Sequence, residues 1–137
     1  MRYLAIDIGE RRTGFALGDS DLRIVQPLQV IEHVNTAEMH GAIDRVIIEH
    51  QPDEVVVGLP LNMDDSEGPA AQKMRETAKT IGERAGLEVR LFDERLTSFE
   101  ADARMAQSGR THAQKKRVRD AIAAATLLED YFDSLEG

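Results

Sequence analysis

The hydrophobic positions at the start of this chain form three short runs separated by polar and glycine residues. Tyr3–Ile8 is mostly apolar, and Thr13–Gly18 can return beside it. Ile24–Val34 follows as a third run, which carries Pro27. Runs of this length with such boundaries are typical of β-strands. The first quarter of the chain is therefore predicted to be a three-stranded meander.

The middle of the chain alternates between helical and strand patterns. Thr36–His50 has apolar residues at helical spacing, and Pro52 follows as a stop signal. Asp53–Gly58 contains three consecutive valines, which is typical of a strand covered on both faces. The next helical pattern begins at Pro69 and stops at Gly86, residues that suit those two positions.

The last third of the chain predicts one more strand and two helices. Residues 87–91 alternate between apolar and charged, which is typical of a strand near the edge of a sheet. Ser98–Ser108 is predicted to be a short helix, with Thr97 and Glu100 as a capping pair. The final helix runs from about Ala113 to Leu135.

These elements together predict an α/β fold. Pro27 places the third strand at one edge of the sheet. Since crossovers between parallel strands are right-handed, we expect a mixed five-stranded sheet in the order three, two, one, four, five, flanked by helices. The length of 137 residues and a hydrophobic content of 42% suit one domain spanning residues 1–137.

Composition excludes several classes of protein. The chain has no cysteine, so it has no disulfide framework and no thiolate nucleophile. No apolar run is long enough for a signal peptide or a membrane span, which predicts a cytoplasmic protein without a membrane partner. The sequence also lacks a Gly-x-Ser-x-Gly elbow, a Walker lysine loop and a Gly-x-Gly-x-x-Gly fingerprint.

The charge distribution limits how the chain can bind nucleic acid. A formal net charge of -8 argues against coating by a broad basic surface. Five basic residues nevertheless lie between positions 110 and 119, beside Asp120. On composition alone they predict a local phosphate-binding patch or a solvated helix start with similar weight, and the neighbouring Asp120 favours the patch. The aromatic content of 4% makes a base-stacking platform improbable.

Three acidic residues stand where an isolated acid is hard to explain. Asp7 lies inside an apolar strand, Glu94 follows the fifth predicted strand, and Asp120 precedes an apolar helical segment. A carboxylate in apolar surroundings is costly unless a positive or hydrogen-bonding group faces it. Three such acids that converge would attract a divalent cation, which points to phosphate chemistry. For Asp120 alone, the flank of a buried helix face is the alternative.

The four histidines show no paired ligand spacing, and His50 is interpreted as a core residue.

Four sequence blocks carry a resemblance to a known family. They are Asp7-Ile8-Gly9-Glu10-Arg11-Arg12-Thr13-Gly14, Val57-Gly58-Leu59-Pro60-Leu61-Asn62-Met63-Asp64, Asp93-Glu94-Arg95-Leu96-Thr97-Ser98, and Asp120 before Ala121-Ile122-Ala123-Ala124. In this combination and order the chain resembles the YqgF family, also called RuvX. That family comprises pre-ribosomal-RNA nucleases and Holliday-junction resolvases with a ribonuclease-H-like fold. Arg11 stands where the family usually has lysine, and Asp65 where it usually has glycine.

The resemblance implies a metal-dependent nuclease. Asp7, Glu94 and Asp120 are expected to be the catalytic, metal-binding carboxylates, with Asp93 as a possible helper. Two Mg²⁺ or Mn²⁺ ions about 4 Å apart would activate a water and stabilise the leaving oxygen. The residues expected to bind substrate are Arg11, Arg12, Asn62, Arg95, Lys116 and Arg117. For Asn62, formation of a turn is favoured over direct chemistry.

The expected substrate is precursor ribosomal RNA, in the 5′-end processing of pre-16S rRNA. A four-way DNA junction, cut by a Holliday junction resolvase, is the competing substrate. A noncatalytic nucleic-acid or ribosome-assembly binding module is an alternative from another class, motivated by the net charge of -8. A sugar-kinase-like phosphotransferase has only the Asp-x-Gly start in its favour. We expect a monomer or a homodimer.

Overall fold

A computed structural model describes residues 1–62, 64, 66–93 and 112–136, with side chains from residue 119 to 135 in the last stretch. The β-strands of these regions are β1 (Arg2–Ile8), β2 (Arg12–Asp19), β3 (Ile24–Glu32), β4 (Glu54–Leu59) and β5 (Glu88–Asp93). The helices are α1 (Thr36–His50), α2 (Pro69–Ala85) and α3 (His112–Glu136). Each element lies within a few residues of its predicted position.

The five strands form one mixed sheet in the order β3-β2-β1-β4-β5. Antiparallel pairing joins β1 to β2 and β2 to β3, whereas β4 is parallel to both β1 and β5. The predicted fold class and strand order are thus confirmed. Because β1, β4 and β5 run in the same direction, their carboxyl ends meet at one edge of the sheet, here called the carboxyl edge.

The two faces of the sheet bury different side chains. Leu4 and Ile6 of β1 pack with α1 and α2 in one core cluster. Tyr3 and Ala5 point the other way and pack with α3 in a second cluster. This alternation follows from the two-residue period of a strand. The odd-numbered positions of β1 therefore face α3.

The helix boundaries have local causes. Asn35 caps α1, since its side chain accepts a hydrogen bond from the amide of Glu38 at 2.8 Å. Pro69 occupies the first turn of α2, as predicted. Gly86 ends α2 in the left-handed conformation, with φ of 68°. The predicted helix Ser98–Ser108 and its capping pair lie outside the described residues.

The histidines differ from the prediction for His50. That side chain is only half-buried, whereas His33 and His40 are buried. The prediction was wrong because His50 occupies the last turn of α1, beyond Ile47, the last buried residue of that helix. Within the described residues, no helix combines the length and the apolar content that a membrane span requires.

Candidate active site

Asp7 lies at the carboxyl end of β1, on the face of the sheet that α3 covers. It continues the series Tyr3, Ala5 along the strand, and its side chain is half-buried. In the antiparallel pairing with β2, Asp7 stands opposite Gly14. Directly paired residues point to the same face of a sheet. The space above Gly14 is therefore the space beside the Asp7 carboxylate.

That space is filled by the backbone of α3 at Asp120. A Cβ placed on Gly14 would meet the Asp120 carbonyl oxygen, and would lie 2.6 Å from the carbonyl carbon and 3.2 Å from the amide of Ala121. Only glycine permits such close approach of strand and helix. The pairing of Asp7 with Gly14 and the contact of Gly14 with Asp120 bring two of the predicted acids to one place.

The sequence of α3 explains why Asp120 faces the sheet. Asp120 shares a helical stripe with Ala124 and Leu127, and both are buried in the cluster that includes Tyr3 and Ala5. Residues at this spacing lie on one face of a helix. Asp120 therefore begins a buried stripe. Its side chain remains 22% exposed because it stands at the edge of the sheet.

Arg12 forms an ion pair with Asp120. Its Nε donates a hydrogen bond to Asp120 Oδ2 at 2.7 Å, and the arginine side chain is 35% exposed. A charge-assisted hydrogen bond of this kind restricts the orientation of the carboxylate. Arg12 was predicted to bind substrate, and that role stays a prediction. The contact with Asp120 is an additional role that the sequence did not indicate.

The third predicted acid follows the end of β5. Asp93 is the last residue of β5 and pairs with Leu59 of β4, which places it at the carboxyl edge. Its side chain is half-buried. Glu94 lies outside the described residues, so its metal-binding role stays a prediction. Among the residues that the structure describes, no group of three acids or histidines is arranged to hold a metal ion.

A polar turn follows β4 at the same edge. The amide of Asn62 donates to the carbonyl of Ser66 at 2.9 Å, and Asn62 Nδ2 donates to Ser66 Oγ at 3.0 Å. Asp64 accepts hydrogen bonds from the Ser66 hydroxyl and amide, which lower the pKa of Asp64. The predicted turn-forming role of Asn62 is present in the structure. Contact of Asn62 with substrate stays a prediction.

The remaining predicted substrate residues are only partly described. Arg11 is exposed on the turn between β1 and β2. The backbone of Lys116 and Arg117 belongs to α3, but their side chains lie outside the described residues. Arg95 lies outside the described residues entirely.

Sequence reasoning missed the packing role of Gly14. A glycine between buried apolar residues of a strand was the available signal.

Comparison with known proteins identifies the family of this chain. The model of RuvX, the Holliday junction resolvase family, matches residues 1–134. A protein named "Putative pre-16S rRNA nuclease" from Anaeromyxobacter sp. (strain Fw109-5) is 41% identical over 133 residues, which is 97% of either chain. A protein of the same name from Escherichia coli O7:K1 is 38% identical over 130 residues, covering 95% of this chain and 94% of that one.

A solved structure shares the fold over the whole length. The fowlpox virus resolvase, determined with Holliday junction DNA, superposes with a TM-score of 0.64 and covers 100% of both chains at 15% identity. This likeness supports the ribonuclease-H-like architecture predicted from the sequence. The family match, the curated relatives and the shared architecture agree with the resemblance carried by the four sequence blocks, and the chain belongs to the RuvX family.

Proposed function

We propose that this chain is a divalent-metal-dependent nuclease that hydrolyses phosphodiester bonds in the 5′-end processing of pre-16S ribosomal RNA, in the cytoplasm. The observation that carries the proposal is the convergence of Asp7 and Asp120 at the carboxyl edge through the Gly14 contact. The relatives at about 40% identity bear the name of such a nuclease over nearly the whole chain.

The carboxylates suit the metal that the family implies. Oxygen ligands from aspartate and glutamate are those that Mg²⁺ and Mn²⁺ prefer. Asp7, Asp120 and Glu94 would hold the ions, with Asp93 at the same edge. A carboxylate accepts at both oxygens, so the Arg12 contact at Asp120 Oδ2 is compatible with metal binding. When bound, two divalent cations supply activation of the attacking water and stabilisation of the leaving oxygen.

Residues of this chain hold the metal ions and position the substrate phosphate. The three acids act as ligands, and none of them acts as a nucleophile. Arg12 holds the Asp120 carboxylate toward the sheet, and Arg11 stands on the neighbouring turn where a phosphate of the substrate can approach. Guanidinium groups fit phosphate oxygens in two-point contacts without reading sequence. Arg95, Lys116 and Arg117 are proposed to extend this contact along the substrate backbone.

The second candidate function is cleavage of branched DNA. It is favoured by the family description, which names a Holliday junction resolvase. The same metal-binding acids would serve either substrate, because both reactions hydrolyse a phosphodiester. The substrate, rather than the chemistry, distinguishes the two functions.

The test is a cleavage assay with matched acid variants. Wild type, Asp7→Asn and Asp120→Asn are incubated with Mg²⁺ or Mn²⁺ and with pre-16S rRNA, single-stranded RNA or four-way DNA junctions. We expect metal-dependent cuts in the precursor RNA and a loss of at least a hundredfold in both variants, since each removes a metal ligand. Asp133→Asn is the control, because Asp133 lies on the same helix as Asp120 but pairs with Arg23, which lies between β2 and β3.

The outcomes separate the candidate functions. If cuts are confined to the DNA junction, the substrate is branched DNA rather than precursor RNA. Folded protein that binds RNA but cuts no substrate would favour the noncatalytic binding module. Retained cleavage in Asp7→Asn would overturn the assignment of the metal-binding acids. Circular dichroism of each variant shows whether a loss of cleavage reflects a loss of fold.

A further inference from the structure

A groove lies beside the candidate active site, on the other face of the sheet. Its cavity volume is about 600 Å³, and its walls come from the β1–β2 turn, the segment before α1, and α2. We call it the edge groove and define it by Ile8, Arg11, Val34, Met39, Lys73 and Met74. A volume of this size is in the range of pockets that hold small organic groups.

The floor of the edge groove is apolar. Ile8, Met39 and Met74 belong to the core cluster that packs between the sheet and the helices α1 and α2. At the carboxyl edge this cluster is left open between the helices and the β1–β2 turn. Methionine side chains are flexible and polarisable, so they adapt to flat ring systems of different shape. The floor can therefore contact a nucleobase without an aromatic platform.

The rim of the groove is polar and mostly positive. Arg11 on the β1–β2 turn and Lys73 on α2 are both exposed, and Glu10 is the one acidic group among the lining residues. Val34 also lines the groove, and 82% of its surface is exposed. An apolar slot flanked by two cations matches the two parts of a nucleotide, a flat base and a charged phosphate.

The walls are held in place by hydrogen bonds. The buried His33 pairs through Nε2 with Thr13 Oγ1 at 2.8 Å, and its amide donates to the carbonyl of Arg11 at 2.9 Å. The turn itself is closed by the Gly9 amide, which donates to the carbonyl of Arg12 at 2.9 Å. A groove built from such contacts is largely formed before a ligand arrives, so little ordering cost opposes binding.

The groove and the candidate active site lie on opposite faces of the sheet at the same end of β1. Ile8 in its floor directly follows Asp7, and the two side chains point to opposite faces of the sheet. The Gly9–Arg12 turn lies at the edge of the sheet between the two faces. A strand bound at Asp7 and Asp120 that crosses this turn enters the edge groove within a short distance. The groove therefore lies where the substrate continues beyond the cleaved bond.

We propose that the edge groove binds an unpaired nucleotide that flanks the scissile phosphodiester, with its base on the apolar floor and its phosphate between Arg11 and Lys73. This proposal rests on the proposed nuclease function, because that function places a polynucleotide at Asp7. It adds a requirement for a single-stranded overhang next to the cleavage site. A fully paired end would leave the groove empty.

The test measures binding of two RNAs to the Asp7→Asn protein, in which cleavage does not interfere. One RNA ends in a duplex next to the cleavage site, and the other carries three additional unpaired nucleotides. Fluorescence anisotropy in Mg²⁺ gives Kd for each. We expect Lys73→Ala to weaken binding of the extended RNA about tenfold and to change binding of the short RNA less than twofold. Val34→Glu, at an exposed rim position, is expected to act in the same way.

Lys79→Ala is the matched control. Lys79 is exposed on α2 like Lys73, but it lies in the groove between α2 and β5. Its loss removes the same charge and should leave both Kd values within twofold of the parent. Equal weakening by Lys73→Ala and Lys79→Ala, or equal effects on the two RNAs, would overturn the proposal. A 4-thiouridine in the overhang that crosslinks at Met74 or Val34 would support it.

The outcomes also keep the two proposals apart. If the wild type cuts no substrate while the overhang still contributes to binding through Lys73, the nuclease function fails and the groove remains a nucleotide site. If the wild type cuts the precursor RNA while Lys73→Ala behaves like the control, the groove proposal fails and the nuclease function stands. Each result is read from a different measurement, so the failure of one proposal is distinguishable from the failure of the other.

Discussion

At the scale of single residues, Arg12 pairs with Asp120, one of the acids proposed to bind metal. A second arginine–aspartate pair joins Arg23 to Asp133 farther along α3, at 2.9 Å. The carboxylates differ in exposure, since Asp120 is 22% exposed and Asp133 is 71% exposed. Water screens the exposed pair strongly. The Arg12 contact therefore restricts its carboxylate more than the Arg23 contact does.

Arg12→Ala separates two roles of this arginine. If Arg12 mainly orients Asp120, the variant should lower kcat about tenfold and leave KM within about twofold, because a carboxylate that samples other orientations holds metal less well. If Arg12 mainly contacts a substrate phosphate, KM should rise instead. We expect the first result. Steady-state cleavage of pre-16S rRNA by Arg12→Ala and by the control Arg23→Ala gives both constants.

His40 is a buried residue with a consequence for stability. It lies on α1 with 8% of its surface exposed, and no hydrogen-bond partner of Nδ1 is present in the described part of the chain. Burial and the positive charge of Arg84 lower the pKa of His40 below 6.5, and the opposing effect of Asp44 is smaller. Folded His40 therefore resists protonation at a pH where the unfolded chain accepts a proton.

His40→Leu should thus change how stability depends on pH. As pH falls from 7.5 through 6.5, the unfolded wild-type chain binds a proton that the folded chain does not, so the free energy of unfolding decreases. The leucine variant lacks this contribution, and its stability relative to wild type should rise between pH 7.5 and 5.5. Urea unfolding at both pH values measures the difference. A leucine variant whose stability relative to wild type is the same at both pH values would contradict the prediction.

At the scale of elements, the site depends on how closely α3 approaches β2. Gly14 has no Cβ, and the backbone of α3 at Asp120 occupies the place where one would lie. Gly18 repeats the arrangement nearer the other end of β2, where a Cβ would lie 2.7 Å from a methyl group of Leu128 and 2.9 Å from the Ile24 carbonyl oxygen. The glycines of β2 therefore permit the close approach of α3 to the sheet.

Gly14→Ala should move α3 and with it Asp120. The obstructing atoms belong to the backbone, which cannot rotate away as a side chain can, so we expect a loss of about 1–3 kcal/mol in the free energy of unfolding. Cleavage should fall at least tenfold at a temperature where the variant is fully folded. Urea unfolding and a cleavage assay on the same preparation measure both effects.

Gly41→Ala is the control for this prediction. Gly41 lies inside α1, and a Cβ there would meet no atom within 4 Å. Replacing a glycine by alanine in a helix should raise the free energy of unfolding by about 0.5–1 kcal/mol. Cleavage should stay unchanged. A destabilised Gly41→Ala, or a Gly14→Ala protein with wild-type cleavage, would contradict the account of the α3 contact.

At the scale of the whole molecule, sheet topology accounts for where the chemistry is placed. The parallel strands β1, β4 and β5 end together, so Asp7, the Asn62 turn and Asp93 share one edge although they are far apart in the chain. The net charge of -8 argues against a broad basic surface. Any binding of nucleic acid must therefore rely on local cations such as Arg11 and Lys73 near that edge.

Much of the fold could be predicted because its signals are local. The consecutive valines of β4, Pro69 at the start of α2 and Gly86 at its end each act through the backbone or the nearest neighbours. The strand order also followed from the sequence, because the handedness of crossovers leaves few arrangements. His50 was misjudged because periodicity shows which side of a helix is apolar, but not where along the helix burial ends.

The candidate site also has some features that the sequence predicted and others that only the tertiary structure decided. The sequence by itself determined which acids stand in apolar surroundings, that Asp7 lies inside an apolar strand, and which family the four blocks resemble. Only the tertiary structure decided that Gly14 brings Asp120 to Asp7, that Arg12 pairs with Asp120, and that Lys73 and Val34 share a groove with Ile8. Residue type and periodicity are properties of neighbours in the chain. Contacts between residues about a hundred positions apart depend on the depth to which helices pack on the sheet, and that depth is set by the summed volumes of all the side chains between them.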